Sequence, residues 1–297
     1  MSLGGRVAIV TGAGGGLGRQ HALYLARKGA RVVVNDLGQD AADTVAAEIR
    51  ATRGEALAFA ASVTDETAIA AMVAQTVGQW GRIDILVNNA GVLRDKSFAK
   101  MTLDDFRLVV DVHLMGAVIC TKAVWEIMRT QRYGRVIMTT SSSGLYGSFG
   151  QANYSAAKMA LVGLMQTLAI EGQKYDIRVN CLAPTAATQM TQGVLSGDSL
   201  ERLDPALVSP GLLALAGDDA PTRAILCAGA GHFAGASVTL STGRYIGARE
   251  DAGEQIVAQF DQIIERTGDI VPAYGLVQSE RELASAGLNR PATAVEG

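Results

Sequence analysis

At 297 residues, 48% hydrophobic and 19% charged, the chain has enough apolar material for a sizeable core, which excludes wholesale disorder. The formal net charge is −3 and no basic face is visible, so nucleic acid is not an expected partner. The three cysteines (Cys120, Cys181, Cys227) and three histidines (His21, His113, His232) are scattered. That spacing suits reduced core thiols and offers neither a disulfide framework nor a metal site.

Met1 to Val10 runs straight into a strand pattern, without the basic, apolar and cleavable regions of a secretory leader. No apolar run approaches the length that crosses a bilayer. The ending Ala-Val-Glu-Gly is not a peroxisomal address. These features predict a cytoplasmic protein with no membrane partner.

In chain order, short β-branched runs alternate with helical patterns. Strands are predicted at Arg6–Thr11, Arg31–Asn35, Ala56–Ala60, Ile83–Val87, Arg135–Thr139 and Ile177–Ala183, with a last one at Ser237–Leu240. Helices are predicted over Arg19–Lys28, Ala41–Thr52, Glu66–Gln79, Leu103–Arg129 and from about Ala152 to Tyr175. Near-continuous apolar strands separated by helices predict an α/β fold, one doubly wound parallel sheet covered on both faces. Residues 1–245 are expected to form a dinucleotide-binding catalytic domain. Residues 246–297, with an amphipathic stripe in Glu254–Ile264, are read as an extension packed on it.

The glycine-rich loop Thr11–Gly18 lies between the first strand and the first helix. Glycines let backbone approach a pyrophosphate, and the helix start offers free N–H groups and a positive dipole end. A glycine loop alone is a weak signal that also reads as a tight turn with no ligand. With a strand before it and a helix after it, Gly12, Gly16, Leu17 and Gly18 are expected to hold a dinucleotide in a Rossmann-type site. Asp36 ends the second strand, where a carboxylate would accept from the adenosine ribose hydroxyls and repel the 2′-phosphate of NADP. NAD is thus the expected cofactor; the plainer reading is a residue capping the turn before Gly38. Asn88-Asn89-Ala90-Gly91 follows the fourth strand, at the carboxyl edge where such sheets bind ligands, and could by itself be an ordinary turn.

Tyr154 and Lys158 are spaced to share one helix face, with Ser141 just past the fifth strand. A free tyrosine, with a pKa of about 10, is a poor base at neutral pH. A nearby ammonium and a positive nicotinamide would both lower that value, and Ser141 would hydrogen-bond the substrate oxygen. In isolation the Tyr/Lys spacing is a solvated helix face; the glycine loop and Asp36 give it a context.

Taken together, TGAGGGLG at Thr11–Gly18, NNAG at Asn88–Gly91, Ser141 and YSAAK at Tyr154–Lys158 resemble the short-chain dehydrogenase/reductase family from about residue 5 to 245. The resemblance implies tyrosine as acid/base, lysine holding the ribose and tuning the tyrosine, and serine orienting a carbonyl. It also implies cofactor contacts from Asn89, Ala90, Gly91, Pro184 and Thr188, and pairing of helices into a homodimer or larger homo-oligomer.

Three departures stand out. His113 replaces the family's mid-helix asparagine, where it would kink the helix or hold a proton-relay water, or else serve as a buried, hydrogen-bonded core histidine. Pro184-Thr185 replaces Pro-Gly. Ser62 replaces an acidic residue, leaving the Val63 backbone as the adenine contact.

The stretches VVVNDLG, GVLRDKSFAKM, VHLMGA, SGLYGSFGQANYSAAK and LAIEG narrow the resemblance to the dehydrogenase domains of peroxisomal multifunctional enzymes type 2 (17β-hydroxysteroid dehydrogenase type 4). It weakens past about Gly193, and no hydratase or carrier segment follows, so a free-standing relative is expected. The implied reaction is NAD-dependent interconversion of (3R)-3-hydroxyacyl-CoA, or a steroid-like alcohol, with its ketone. Reduction of a ketone or a carrier-bound 3-oxoacyl group is the alternative. A catalytically silent dinucleotide sensor is a third reading, which the complete Ser141/Tyr154/Lys158 set opposes.

Overall fold

A computed structural model describes residues 2–187 and 202–288. The chain divides into two compact units, Met1–Ala236 and Ser237–Gly297.

In the first unit, the strands are β1 (Val7–Thr11), β2 (Arg31–Asp36), β3 (Ala56–Ala60), β4 (Ile85–Asn88), β5 (Gly134–Thr139), β6 (Ile177–Thr185), β7 (Ile225–Gly229) and β8 (His232–Ala236). Among the described residues they form one sheet in the order β3-β2-β1-β4-β5-β6-β7-β8. All neighbours are parallel except β7 and β8. Valine and isoleucine fill the central strands because both faces are covered and every side chain must be apolar. Ala8, Val10, Val32 and Val34 point into one core, whereas Ile9, Val33, Leu86 and Val136 point into the other.

The helices are α1 (Gly16–Arg27), α2 (Gln39–Ala51), α3 (Glu66–Trp80), α4 (Leu103–Val110), α5 (Gly116–Gln131), α6 (Ser142–Tyr146) and α7 (Ala152–Gly172). α1 and α2 pack on the first core; α3, α5 and α7 pack on the second. Chain order reverses between β1 and β4, so their carboxyl ends diverge and leave a crevice there.

Two of the expected elements differ. The last strand is not Ser237–Leu240: the sheet ends in the β7–β8 hairpin, turned at Ala230 (φ 49°) and Gly231 (φ 77°), the paired left-handed residues that two-residue hairpins favour. Leu240 instead bridges Ile270 inside the second unit. Glu254–Ile264 is not one helix. It is Ala252–Ala258 and Phe260–Ile263, interrupted at Gln259, and a further helix covers Leu276–Ser285.

The continuous helical stretch Leu103–Gln131 is long and apolar enough to cross a membrane by length and composition, contrary to the sequence expectation. Its apolar face is used otherwise: Val109, Ala117, Cys120, Val124 and Met128 are buried in the first unit. The stretch is also not uniform, because Asp111–Met115 forms a π turn between α4 and α5.

His21, fully buried on α1, pairs its Nδ1 with Ser209 Oγ at 2.9 Å. Burial lowers its pKa from 6.5 to about 3, so the ring stays neutral in the fold while the unfolded chain protonates. The unfolded state therefore binds more protons between those two values, and stability falls as pH drops below about 6.5. The loss from this ring approaches about 1.4 kcal/mol per pH unit. Urea unfolding across that window reads it, and His21→Gln should flatten the slope.

Candidate functional site

Each carboxyl end of the central strands delivers one part of the site. Past β1, Gly12 (φ 61°) and Gly16 (φ 49°) adopt backbone open to glycine. A Cβ on Gly18 would lie 2.1 Å from the Gly12 carbonyl, so the loop closes on itself only with glycine there. α1 starts at Gly16 with no side-chain cap and no acidic residue in its first turn, which leaves its N–H groups and dipole available to a phosphate. Leu17 is part-buried against the core and anchors this turn. These features fit a dinucleotide.

Asp36 accepts from backbone N–H groups. Its Oδ1 accepts the Leu37 N–H at 2.8 Å, a local cap. Its Oδ2 accepts the Gly14 N–H at 2.8 Å, so the carboxylate stands against the glycine loop. Past β3, Val63 is buried and its side chain fills the space left by Gly116, which leaves its backbone as the part available to a ligand.

Past β4, Asn89 fastens the second loop to the first. Its amide donates to the carbonyls of Thr11 (2.9 Å) and Gly12 (3.0 Å). Thr11 Oγ1 accepts from the N–H groups of Asn89 and Ala90. Gly91 is required for a different reason: a Cβ there would lie 2.2 Å from His113 Cε1.

The π turn holds His113 buried. Its Nε2 lies 3.0 Å from the Val92 nitrogen and 2.8 Å from the Val92 oxygen. Its ring meets Tyr154 edge-on, with centroids 5.2 Å apart. Burial first, then the Lys158 charge, lower its pKa from 6.5 to about 3, so this ring is neutral. A small cavity, roughly large enough for one water, is lined by Thr11, Asn88, His113 and Lys158 among apolar neighbours. His113 Nδ1 and Asn88 Oδ1 are buried without a protein partner.

Ser141 caps α6, its hydroxyl accepting the Ser143 N–H at 3.2 Å, and it also hydrogen-bonds the Tyr154 side chain. Lys158 is fully buried and donates from Nζ to the Thr139 carbonyl at 2.6 Å, with Nζ 5.5 Å from the Tyr154 ring centre. Its insertion depends on Gly144, where a Cβ would lie 2.7 Å from the Lys158 Cβ. The structure thus brings Ser141, Tyr154, Lys158 and His113 together at one end of the sheet.

Burial dominates the electrostatics of both residues. Burial raises the Tyr154 pKa, the Ser141 hydrogen bond opposes it, and Asp95 adds to the rise. Burial also lowers Lys158 from 10.5 to about 7. Lys158 Nζ is turned to the Thr139 carbonyl, and loss of water is the largest influence on the phenol. Pro184 lies in the last residues of β6, near this edge, and Thr188 lies outside the described residues.

Residues 6–198 match the family model for short chain dehydrogenases. The chain belongs to that family. Its members are oxidoreductases that use NAD(P). It is 51% identical over 215 residues to peroxisomal multifunctional enzyme type 2 of Drosophila melanogaster, a match covering 69% of this chain and 36% of that protein. The chain therefore spans about a third of the length of that relative. The structure of the full-length Drosophila enzyme superposes with a TM-score of 0.81 over 96% of this chain and 50% of that one, at 36% identity. A short chain dehydrogenase from Mycobacterium avium gives 0.78 at 37% identity, covering 93% of this chain and all of that one. A 7α-hydroxysteroid dehydrogenase complexed with NADH and 7-oxo glycochenodeoxycholic acid gives 0.72 at 29% identity, covering 77% of this chain and 95% of that one.

Sequence reasoning missed Asn153 in this short-chain dehydrogenase site. It is fully buried beside Tyr154, whose N–H donates to its Oδ1 at 2.8 Å, and its amide donates to the Arg94 carbonyl at 3.1 Å. Only its place next to Tyr154 could have signalled it.

The clash at Gly91 yields a direct prediction. Gly91→Ala should lose about 1–3 kcal/mol of stability by overpacking and weaken dinucleotide binding as the His113 ring is displaced. Denaturant unfolding and a dinucleotide fluorescence titration measure the two effects; unchanged values would show that the ring yields freely.

Proposed function

We propose that the protein is an NAD-dependent dehydrogenase that interconverts a secondary alcohol and its ketone, with (3R)-3-hydroxyacyl-CoA as the preferred substrate class. The observation that carries the reaction type is the Ser141–Tyr154–Lys158 cluster beside the uncapped glycine-loop helix. The 51% identity to a peroxisomal multifunctional enzyme type 2 supports the acyl-CoA class over a steroid-like alcohol.

When bound, the dinucleotide supplies the hydride-accepting or hydride-donating ring carbon. Gly12, Gly16, Leu17 and Gly18 hold its pyrophosphate, and Asp36 accepts from the adenosine ribose. Asn89, Ala90, Gly91, Val63 and Pro184 complete its wall. The Ser141 hydroxyl donates to the substrate oxygen as charge develops there. Tyr154 takes the alcohol proton in oxidation and returns it in reduction. Lys158 keeps two ammonium hydrogens beyond the one given to Thr139, and ribose hydroxyls are suitable acceptors for them. A water in the cavity between His113, Asn88 and Lys158 would connect the ammonium to two otherwise unpartnered atoms.

Self-association is part of this reading. Leu103, Leu108 and Met115 on the α4–α5 stretch, and Met159 and Ile170 on α7, are exposed apolar residues that a second copy would cover.

Purified protein mixed with NAD and a (3R)-3-hydroxyacyl-CoA should generate NADH. Tyr154→Phe should cut kcat by about 100-fold or more, since the phenolic oxygen is the proton acceptor. Persistence of the rate would remove the mechanism.

Cofactor choice has its own test. Asp36→Ala should raise the NADP-to-NAD ratio in kcat/KM by about 10-fold or more, through loss of charge-assisted hydrogen bonds and of repulsion. A wild-type preference for NADP would contradict the assignment to NAD.

A further inference from the structure

The first turn of α7 carries Tyr154 and has an unmet need. Its N-cap residue, Gln151, gives no side-chain hydrogen bond, so the N–H groups that open the helix lack their usual acceptor. Asn153 supplies one from inside the turn, its Oδ1 accepting the Tyr154 N–H at 2.8 Å. The other half of the amide bonds outside the helix. Nδ2 donates to the Arg94 carbonyl at 3.1 Å and, more distantly, to the Asp105 carbonyl at 3.4 Å. The side chain is fully buried. Among side chains of this shape only an amide meets both demands, because aspartate lacks the donors and leucine lacks everything.

The Arg94 carbonyl belongs to the loop that leaves β4, and that loop is pinned at successive points. Asn89 and Ala90 are bonded to Thr11 at the end of β1. Val92 meets the His113 ring. Arg94 is then held by Asn153. The charged groups of the adjoining segments have partners of their own. Lys96 Nζ pairs with Asp105 at 2.9 Å, and Arg94 Nε lies 4.0 Å from the same carboxylate. Asp95 takes the Gln151 amide, Lys158 gives a hydrogen to Thr139, and the His113 ring is neutral.

We propose that Asn153 is a positioning residue for Tyr154, a buried amide that registers the first turn of α7 against the loop after β4. The phenol is thereby held in place relative to Asn89, Ala90 and Gly91 on the dinucleotide wall. This rests on the reading of Tyr154 as the proton-transfer group. Misplacing a reacting group by about 1 Å can cost about 100-fold in rate. Loss of the register should therefore appear in kcat and spare dinucleotide affinity, since Asn89 and Ala90 keep their own ties to Thr11.

Two substitutions test this. Asn153→Ala removes both halves of the link. In protein that circular dichroism shows to be folded, kcat for NAD-dependent oxidation should fall by about 10-fold or more, with the NAD dissociation constant within about 2-fold of wild type. Asn153→Asp separates the halves. It keeps an acceptor for the Tyr154 N–H, but when ionised it sets an oxygen against the Arg94 carbonyl. A carboxyl buried there holds its proton to higher pH than usual, and the protonated form can donate to that carbonyl again. The ratio of kcat in Asn153→Asp to wild type should therefore rise by about 3-fold or more as pH is lowered from about 9 to about 6. A residue that only capped the helix would give a flat ratio, because both protonation states accept.

A flat or falling ratio, or a folded Asn153→Ala that turns over at the wild-type rate, would overturn the proposal. Should Asn153→Ala fail to fold, the Asn153→Asp ratio decides. Exchange of the Tyr154 amide hydrogen, followed by NMR without substrate, should quicken by about 3-fold or more in Asn153→Asp at high pH, where the register is lost, and an unchanged rate also counts against it. If Tyr154→Phe remains active, the proton-transfer reading fails, while amide exchange still decides whether Asn153 holds the turn.

Discussion

The site depends on one constraint, the burial of the Lys158 ammonium. Its charge sits among apolar residues of α7 and β5 with the Thr139 carbonyl as its protein acceptor. Such burial is costly unless a partner is supplied, and it draws the lysine down to about 7. The same loss of water pushes the Tyr154 phenol up. Desolvation therefore acts on the two residues in opposite directions, and both are driven toward their uncharged forms. An i, i+4 ion pair on an exposed helix would behave differently, with attraction lowering the phenol and raising the amine. What sets this pair apart is Gly144, which lets α6 press on α7, and the Thr140 hydroxyl, which donates to the Lys158 carbonyl at 2.7 Å.

A second constraint joins the two ligand-facing loops. Thr11 ends β1 and its hydroxyl oxygen accepts two N–H groups from the loop after β4. Asn89 returns two hydrogen bonds to the backbone of the first loop. Gly12 completes the joint, since a Cβ there would lie 2.8 Å from the Ala90 Cα. The two loops that flank the crevice of the doubly wound sheet are thus hydrogen-bonded to each other where a dinucleotide would cross it. Preorganised donors of this kind are worth more than flexible ones, because no reorganisation accompanies binding.

How much of this was legible in the sequence follows from burial. β1, β2 and β4–β6 announce themselves because both faces are covered, which forces unbroken runs such as Val32-Val33-Val34. β8 does not, because His232–Ala236 is largely exposed and holds small residues without alternation. Val238 and Leu240 drew the strand assignment instead, being β-branched or apolar around a threonine. Ser141, Tyr154 and Lys158 were legible as residue types at a spacing, yet the burial of Ser141 and Lys158 was not. Spacing places an ammonium near a phenol; it does not say which way Nζ turns or how dry the site is. Asn153 was invisible for a related reason: its role comes from a contact with the Arg94 carbonyl, far away in the chain.

His113 shows how one substitution is absorbed by its surroundings. An imidazole is bulkier than an amide, and the extra ring atoms occupy the space that Gly91 leaves open. Its Nε2 faces both the N–H and the carbonyl of Val92 but can serve only one of them at a time. If Nε2 carries the proton, it donates to the Val92 oxygen and Nδ1 becomes an acceptor toward the cavity beside Lys158. If Nε2 is bare, it accepts the Val92 N–H and Nδ1 becomes a donor. The choice made at Val92 therefore fixes the polarity of the cavity wall that Lys158 shares. Because the ring stays neutral down to about pH 3, it offers one donor and one acceptor throughout the physiological range. The loop that follows β4 and the ammonium on α7 are in this way coupled through a single tautomer.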